Sequence, residues 1–302
     1  MGMRVVISGA TGLIGTALTD HLRAEGHQVV RLVRGRPEAN DVQWDPAAGV
    51  LPDDALDGAH AVINLAGAGI GDHRWTDEYK ATLVESRLRA TSLLAERMAA
   101  RGTTGDGPAV LLNASAIGYY GARGDEELDE TSAGGSDFLA DLCHPWEAAT
   151  APAAHAGARV AFLRTGVVLT PKGGALKKLL PLFRFGLGGR FGKGTQWQSW
   201  ITLPDEVAAI THLLTADVEG PVNLTAPNPV TNVEFTRVLG QVMKRPALLF
   251  VPKFGPKLLL GNELADALLF TGQRVLPHVL QASGYRFQHE TLEAGLRAVL
   301  DR

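Results

Sequence analysis

The sequence predicts an α/β protein: a doubly wound parallel sheet followed by a smaller C-terminal α/β lobe. Three observations predict it. Short apolar runs alternate with helix-period patterns through the first half of the chain. Glycines at 9, 12 and 15 sit between the first apolar run and the first helical pattern. After Gly166 the pattern changes to a stretch rich in glycine and basic residues. Strand–helix alternation builds a parallel sheet, because each crossover helix covers one face of the strands it joins. Right-handed crossovers leave few topologies. With 302 residues the chain exceeds one small core, so two joined lobes are expected, 1–170 and 171–302, with part of 201–226 returning to the first sheet.

The elements follow in order. Arg4–Ser8 (RVVIS) reads as a strand, and Leu13–Gly26 as a helix ending at a glycine. Gln28–Val33 and Ala61–Gly67 read as further strands. A long helical pattern runs from Asp77 to about Arg101. Val110–Ser115 is the next strand, then a helix around Phe138–His155, then a strand over Arg159–Gly166. Residues 170–196 read as loop, short helix and hairpin. A helix begins near Pro204, where a missing amide costs nothing. Pro221–Ala226 is a short strand. Thr231 and Glu234 have capping-box spacing at the start of a helix reaching Met243.

Composition narrows the function. Hydrophobic residues make up 45% and charged residues 20%, as in a soluble globular protein. The formal net charge of −3 gives no electrostatic case for a nucleic-acid or membrane partner. A single cysteine, Cys143, rules out a disulfide framework and points to a reducing cytoplasm. No apolar run approaches the roughly 18 residues of a membrane helix, and MGMRVVISG enters a strand with no signal peptide. The nine histidines show no H-x-x-x-H spacing, so no metal site is expected. A small-molecule substrate and a monomer or homodimer are the expectation.

The glycine loop is the strongest motif. Gly9, Gly12 and Gly15 follow a strand and open a helix within a strand–helix–strand unit. Glycine permits the tight turn and lets backbone amides approach a pyrophosphate, whose charge the helix N-terminus favours. The expected contacts run over Gly9, Thr11, Gly12, Leu13, Ile14 and Gly15. A free ribose 2′-hydroxyl calls for an acid at the end of the second strand. That strand ends RLVRGRP instead, with Arg34 about where the acid belongs and Glu38 the first acid after it. A guanidinium there suits a 2′-phosphate, so the expected cofactor is NADP(H).

The motifs together resemble the extended short-chain dehydrogenase/reductase superfamily. NLAGAG (64–69) is similar to its third landmark. SAIGYYG (115–121), LRTGVVL (163–169), SWI (199–201), APNPVTN (226–232) and GQRVLP (272–277) resemble one atypical branch, the SulA-like epimerase family with a C-terminal DUF1731-type segment. The resemblance covers nearly the whole chain and implies a Rossmann-type fold. It also implies that Leu65, Ala66 and Gly67 pass under the adenine and ribose, and that Ser115, Gly166 and Val167 lie towards the nicotinamide.

Ordinary members pair a Ser/Thr and a Tyr with a Lys four residues after the Tyr, which passes a proton to or from the substrate oxygen. None of the four tyrosines here (79, 119, 120, 285) has Lys at that spacing. Aligning Glu147 with the family's glutamate puts Leu139 at the tyrosine and Cys143 at the lysine. Aligning Tyr120–Gly121 puts Ala116 at the hydroxyl. Ser115 and Tyr119 are the candidate stand-ins, with pocket lining the alternative for both. Cys143 beside His144 reads as packing more readily than as a nucleophile.

In the second lobe, 192–206 resembles the G-x-G-x-Q-x-R-D-W stretch of sugar-nucleotide members, with Gln198 for the arginine and Ser199 for the aspartate. A neutral amide does not replace a bidentate guanidinium on a diphosphate. Arg190, Lys193 and Arg274 remain as anion binders, while Lys177 and Lys178 read as a solvated face. Trp197, Trp200 and Phe191 either wall a pocket between the lobes or pack a hairpin onto the core. The expected function is an atypical NADP(H)-dependent oxidoreductase or epimerase-like enzyme. A non-catalytic NADPH-binding regulator is the alternative, and a nucleotide-sugar epimerase proper stands behind both.

Overall fold

A computed structural model of the chain describes residues 2–102 and 107–302. The first lobe runs β1 (Arg4–Ser8), α1 (Leu13–Ala24), β2 (Gln28–Val33), β3 (Asp41–Gln43), β4 (Ala61–Asn64), α2 (Asp77–Arg101), β5 (Val110–Ala116), a 3₁₀ turn (Ile117–Tyr120), β6 (Glu127–Leu128), α3 (Phe138–Ala148), α4 (Ala151–His155) and β7 (Arg159–Thr165). The chain continues through β8 (Val167–Leu169), α5 (Gly174–Arg184), β9 (Gly189–Phe191), β10 (Trp197–Gln198), β11 (Trp200–Thr202), α6 (Leu203–Leu213) and β12 (Gly220–Leu224). It ends with β13 (Val230–Thr231), α7 (Asn232–Met243), β14 (Leu249–Val251), α8 (Phe254–Leu260), α9 (Asn262–Ala265), β15 (Arg274–Val275), α10 (His278–Ala282) and α11 (Leu292–Val299).

The central sheet has seven strands in the order β12-β7-β5-β4-β1-β2-β3, and every pairing is parallel. This is a Rossmann-type sheet. The chain leaves β1 towards β2 on one side and later builds β4 and β5 on the other. The crevice therefore opens at the carboxyl ends of β1 and β4. Strand alternation separates two apolar layers. Val5 and Ile7 face Leu18, Leu22 and α6, while Val6 and Val62 face Leu94, Met98 and Ala153. β12 comes from beyond the second lobe's first elements and pairs with β7 from Gly220↔Ala161 to Leu224↔Thr165. A third core holds the second lobe together: Leu176, Leu180 and Phe183 of α5 pack with Phe235, Leu239 and Val242 of α7 and Leu296 of α11.

A buried amide ladder ties the carboxyl ends of the central strands. Ser8 Oγ donates to Asn64 Oδ1 at 2.6 Å, and Asn64 Nδ2 donates to Asn113 Oδ1 at 2.7 Å and to Thr91 Oγ1 at 2.9 Å. Trp146 Nε1 donates to the same Thr91 oxygen. The Ala66 amide reaches back to Asn64 Oδ1. With its amide fully used, Asn64 fixes the turn that carries Leu65–Gly67.

Two expectations need correction, and one strand was not foreseen. The helix over 138–155 is two, because Pro152 has no amide with which to continue α3. Residues 170–196 contain no hairpin. β9 pairs in parallel with β14, and β10 pairs antiparallel with β13. Both partners are distant in sequence, so a local pattern does not reveal them. β3 is three residues long and gives no periodicity to read.

Candidate functional site

The site is built from the first strand outwards. Gly9 adopts φ +66°, and a Cβ there would lie 2.4 Å from Leu65 O. At Gly15 a Cβ would lie 2.2 Å from Gly9 O. The loop is therefore folded on itself more tightly than any side chain allows. Gly12 is the N-cap of α1 and makes no side-chain cap. The amides of Leu13, Ile14 and Gly15 are left without intrahelical acceptors at the positive end of the helix. That is an anion cradle made of backbone. Thr11 is exposed beside it, and the Leu13 side chain packs against Gly173 at the start of the second lobe.

At the end of β2 the acids are already spent. Arg31 grips Asp41 through Nε and Nη2, each at 2.7 Å, and reaches Glu38 at 2.8 Å. Burial works against the Asp41 charge, but the hydrogen bonds from Arg31 prevail and hold its carboxyl below the usual range. Arg34 is exposed and has no ion pair among the described residues. The strand end thus presents an uncompensated guanidinium and no free carboxylate.

Where the triad belongs, the structure has apolar groups and a closed polar network. Leu139 packs against Gly118, whose Cβ would lie 3.0 Å from its own. Cys143 is buried, its thiol 3.8 Å from Ala116 O. Burial, then the Glu147 charge, push that thiol up to about 12, so it holds its proton and is no nucleophile at neutral pH. Ser115 donates to Glu147 Oε1 at 2.6 Å. Glu147 is clasped by Arg164 through Nε and Nη2, both at 2.9 Å. Arg164 Nη1 donates to the Tyr120 hydroxyl at 3.0 Å, and that hydroxyl donates to Asn223 Oδ1 at 2.7 Å. Burial pushes the Tyr120 phenol up to about 12. The network joins β5, α3, β7 and β12, and every member is satisfied, as buried charge requires.

The two stand-ins are placed accordingly. Ser115 is buried and spends its proton on Glu147. Tyr119 lies with the Arg164 guanidinium 3.4 Å from its ring centre and the His144 ring 4.6 Å away, and its Cζ end faces Gly134. Among the described residues no hydrogen bond joins the two hydroxyls. Sequence reasoning missed the Glu147–Arg164 pair. Its signal was present: an arginine inside the apolar strand RVAFLRT and a glutamate on an apolar helix, one of each sign.

Gly166 sits where β7 turns into β8. A Cβ there would lie 2.5 Å from Ser199 O. The Gly166 amide donates to Leu224 O and the Val167 amide to Ser199 O, so both are taken by the protein. Trp200 does not wall a pocket. It is fully buried, donates to Asn228 O and packs with α7 and α11, since β11 lies inside the second lobe rather than at its rim. Trp197 is half-buried and donates to Asp125 Oδ1 at 2.8 Å. Arg274 stacks on it at 4.6 Å and pairs with the exposed Glu127 at 2.8 Å. Lys178 is exposed but not idle: its Nζ donates to Gly71 O, while Arg74 donates to Leu258 O and Leu259 O, and these bonds link the lobes across the 66–76 loop.

Glu206 of α6 is fully buried. Thr165 donates to Oε1 at 2.8 Å, and Oε2 has no partner among the described residues. Burial, opposed by that one hydrogen bond, raises its carboxyl from the ordinary carboxylate range to about 8. Folding therefore takes up a proton between about pH 4.5 and 8. Stability should be highest at the acid end of that window and fall as pH rises, by up to about 1.4 kcal/mol per unit. Thermal unfolding between pH 5.5 and 8.5 should show this slope in the wild type and a flatter one in Glu206→Gln.

Comparison with known proteins places this geometry. Residues 5–225 match the NAD dependent epimerase/dehydratase family, and 251–299 match a domain of unknown function, DUF1731. The chain belongs to the NAD dependent epimerase/dehydratase family. Epimerase family protein Mb2239 of Mycobacterium bovis is 45% identical over 97% of this chain and 96% of its own. The crystal structure of human epimerase family protein SDR39U1 (isoform 2) with NADPH superposes with a TM-score of 0.88 at 34% identity, over 99% of each chain. A nucleoside-diphosphate sugar epimerase from Corynebacterium glutamicum gives 0.82 at 37% identity, covering 99% of this chain and 58% of that one. Among the described residues, no helix of this family member is long and apolar enough to cross a membrane, and no cluster of three or more His, Cys, Asp or Glu has metal-holding geometry.

Proposed function

We propose that this chain binds NADP(H) in the crevice between β1 and β4 and acts as an atypical oxidoreductase or epimerase-like enzyme on a small carbonyl or alcohol. One observation carries the reading: an uncapped helix N-terminus behind three tightly packed glycines, with the unpaired Arg34 at the neighbouring strand end. The NADPH in the human relative supports it. The residues fit a dinucleotide. The amides of Leu13–Gly15 would hold a diphosphate, the turn at Leu65–Gly67 would pass under the adenosine, and Arg34 would take a 2′-phosphate. When bound, the nicotinamide supplies or accepts the hydride. The protein's own part is to orient the reactants and exclude water, with Leu139 and Cys143 standing where the usual tyrosine and lysine would be. The single cysteine fits a reducing, cytoplasmic setting.

Titration with NADPH and NADH tests this. NADPH should bind more tightly, and Arg34→Asp should lower the NADPH/NADH affinity ratio roughly tenfold to a hundredfold, the worth of a charge-assisted hydrogen bond. An unchanged ratio would remove Arg34 from the site.

The occupied hydroxyls of Ser115 and Tyr120 favour a second reading, a regulator that binds NADPH without catalysis. NADPH oxidation by any member of a panel of small aldehydes and ketones would exclude it. A sugar-nucleotide substrate is the weakest reading, because Gln198 supplies a neutral amide with a buried, unpartnered Oε1 where a diphosphate wants a guanidinium.

A further inference from the structure

Arg87 of α2, largely but not wholly buried, is a cation with no counter-ion among the described residues. Its Nη1 donates to Leu83 O in its own helix at 2.9 Å. Its Nε is buried with no partner, and no carboxylate lies within 4 Å among the described residues. The guanidinium stacks 4.9 Å from the Trp146 ring centre. It lies so close to Gly67 that a Cβ there would meet Arg87 Cγ and Cζ at 3.2 Å and Nη1 at 3.3 Å. Burial lowers its proton affinity, and the groups that oppose this are Cys143 and Tyr79. Arg87 therefore lies between the Leu65–Gly67 turn and the Trp146 ring of α3, three residues on from Cys143.

An arginine desolvated without an anion is costly, and natural interiors pair such groups. A glycine that lets a guanidinium lie against the strand-end turn, and a tryptophan that holds it flat, keep the cation in place for something other than a protein carboxylate. We infer that Arg87 receives an oxyanion, phosphate or carboxylate, at the Gly67 end of that turn, where the cleft passes from the adenosine to the nicotinamide half, so that α2 supplies the positive charge that α3 lacks at Cys143. The inference rests on the dinucleotide reading above. It adds a ligand-binding residue that neither the glycine loop nor Arg34 provides.

Arg87→Met tests it, because methionine keeps a straight apolar stem over Trp146 and Gly67 and removes only the charge. The unliganded variant should unfold at the wild-type temperature or above it, since an unpaired charge has gone. If the oxyanion belongs to the dinucleotide, NADPH should bind ten- to a hundredfold more weakly, while adenosine 2′,5′-bisphosphate, which stops at the adenosine half, should bind as before. If it belongs to a substrate carboxylate, NADPH affinity should hold, and oxalate binding to the NADPH-loaded protein should be lost. Wild-type affinity for NADPH and oxalate alike would overturn the inference and leave the dinucleotide reading standing. So would a lowered unfolding temperature with equal losses for NADPH and the bisphosphate, which marks a structural role. Failure of the wild type to bind NADPH would remove both.

Discussion

Arg164→Met should destabilise the protein by about 3–5 kcal/mol, the cost of leaving a buried carboxylate without its partner. Glu147 is 7% exposed, and Arg164 supplies two of its hydrogen bonds. Removing the guanidinium leaves that charge with Ser115 alone and takes a donor from Tyr120. Glu147 must then protonate or admit water, and the junction of β5, α3, β7 and β12 loosens. Urea unfolding at pH 7 measures the loss as a lower midpoint. The double variant Glu147→Gln/Arg164→Met removes both charges and should recover part of it, because an apolar or neutral replacement of a whole buried pair costs far less than half of one. Equal midpoints for the wild type and the single variant would show that the pair does not hold the strands.

Gly15→Ala should reduce NADPH affinity on the order of a hundredfold, as if about 3 kcal/mol of backbone–phosphate bonding were lost. The added carbon would sit 2.2 Å from Gly9 O and 2.7 Å from Ala10 Cα, both backbone atoms. No side chain can rotate away to relieve that contact, so the loop itself must shift off the anion cradle. Gly12→Ala is the control. There the carbon meets Gly9 O at 3.2 Å, a few tenths of an ångström from comfort, and the loss should be several-fold smaller. Equal affinities for the two variants, measured by nicotinamide fluorescence, would sink the close-approach account.

The first lobe was readable because its signals are local. β1, α1 and β2 each carry their own periodicity, and the glycines mark the turn between the first two. The cleft's position follows from strand order alone. What escaped depends on partners far away in sequence. β9 finds β14, and Trp200 finds α7 and α11, so a hairpin and a pocket wall were reasonable local readings that tertiary pairing overrode. Leu139 and Cys143 could be set against the family's tyrosine and lysine by sequence alone. The Ser115–Glu147–Arg164–Tyr120 network could not be read, because four side chains from four elements meet only in the fold.

β12 reaches the sheet only after the chain has passed through α5, α6 and the strands between them, and it pairs with β7 along its whole length. During synthesis β7 must therefore wait as an open edge, with its amides and carbonyls unpaired, until residue 224 has emerged. Such an edge is a template for pairing with another chain. A fragment cut near residue 170 would keep the glycine loop but expose that edge permanently, and it should be recovered as aggregate. The central sheet is thus closed only by its last strand in chain order, and non-local closure of this kind sets a slow step.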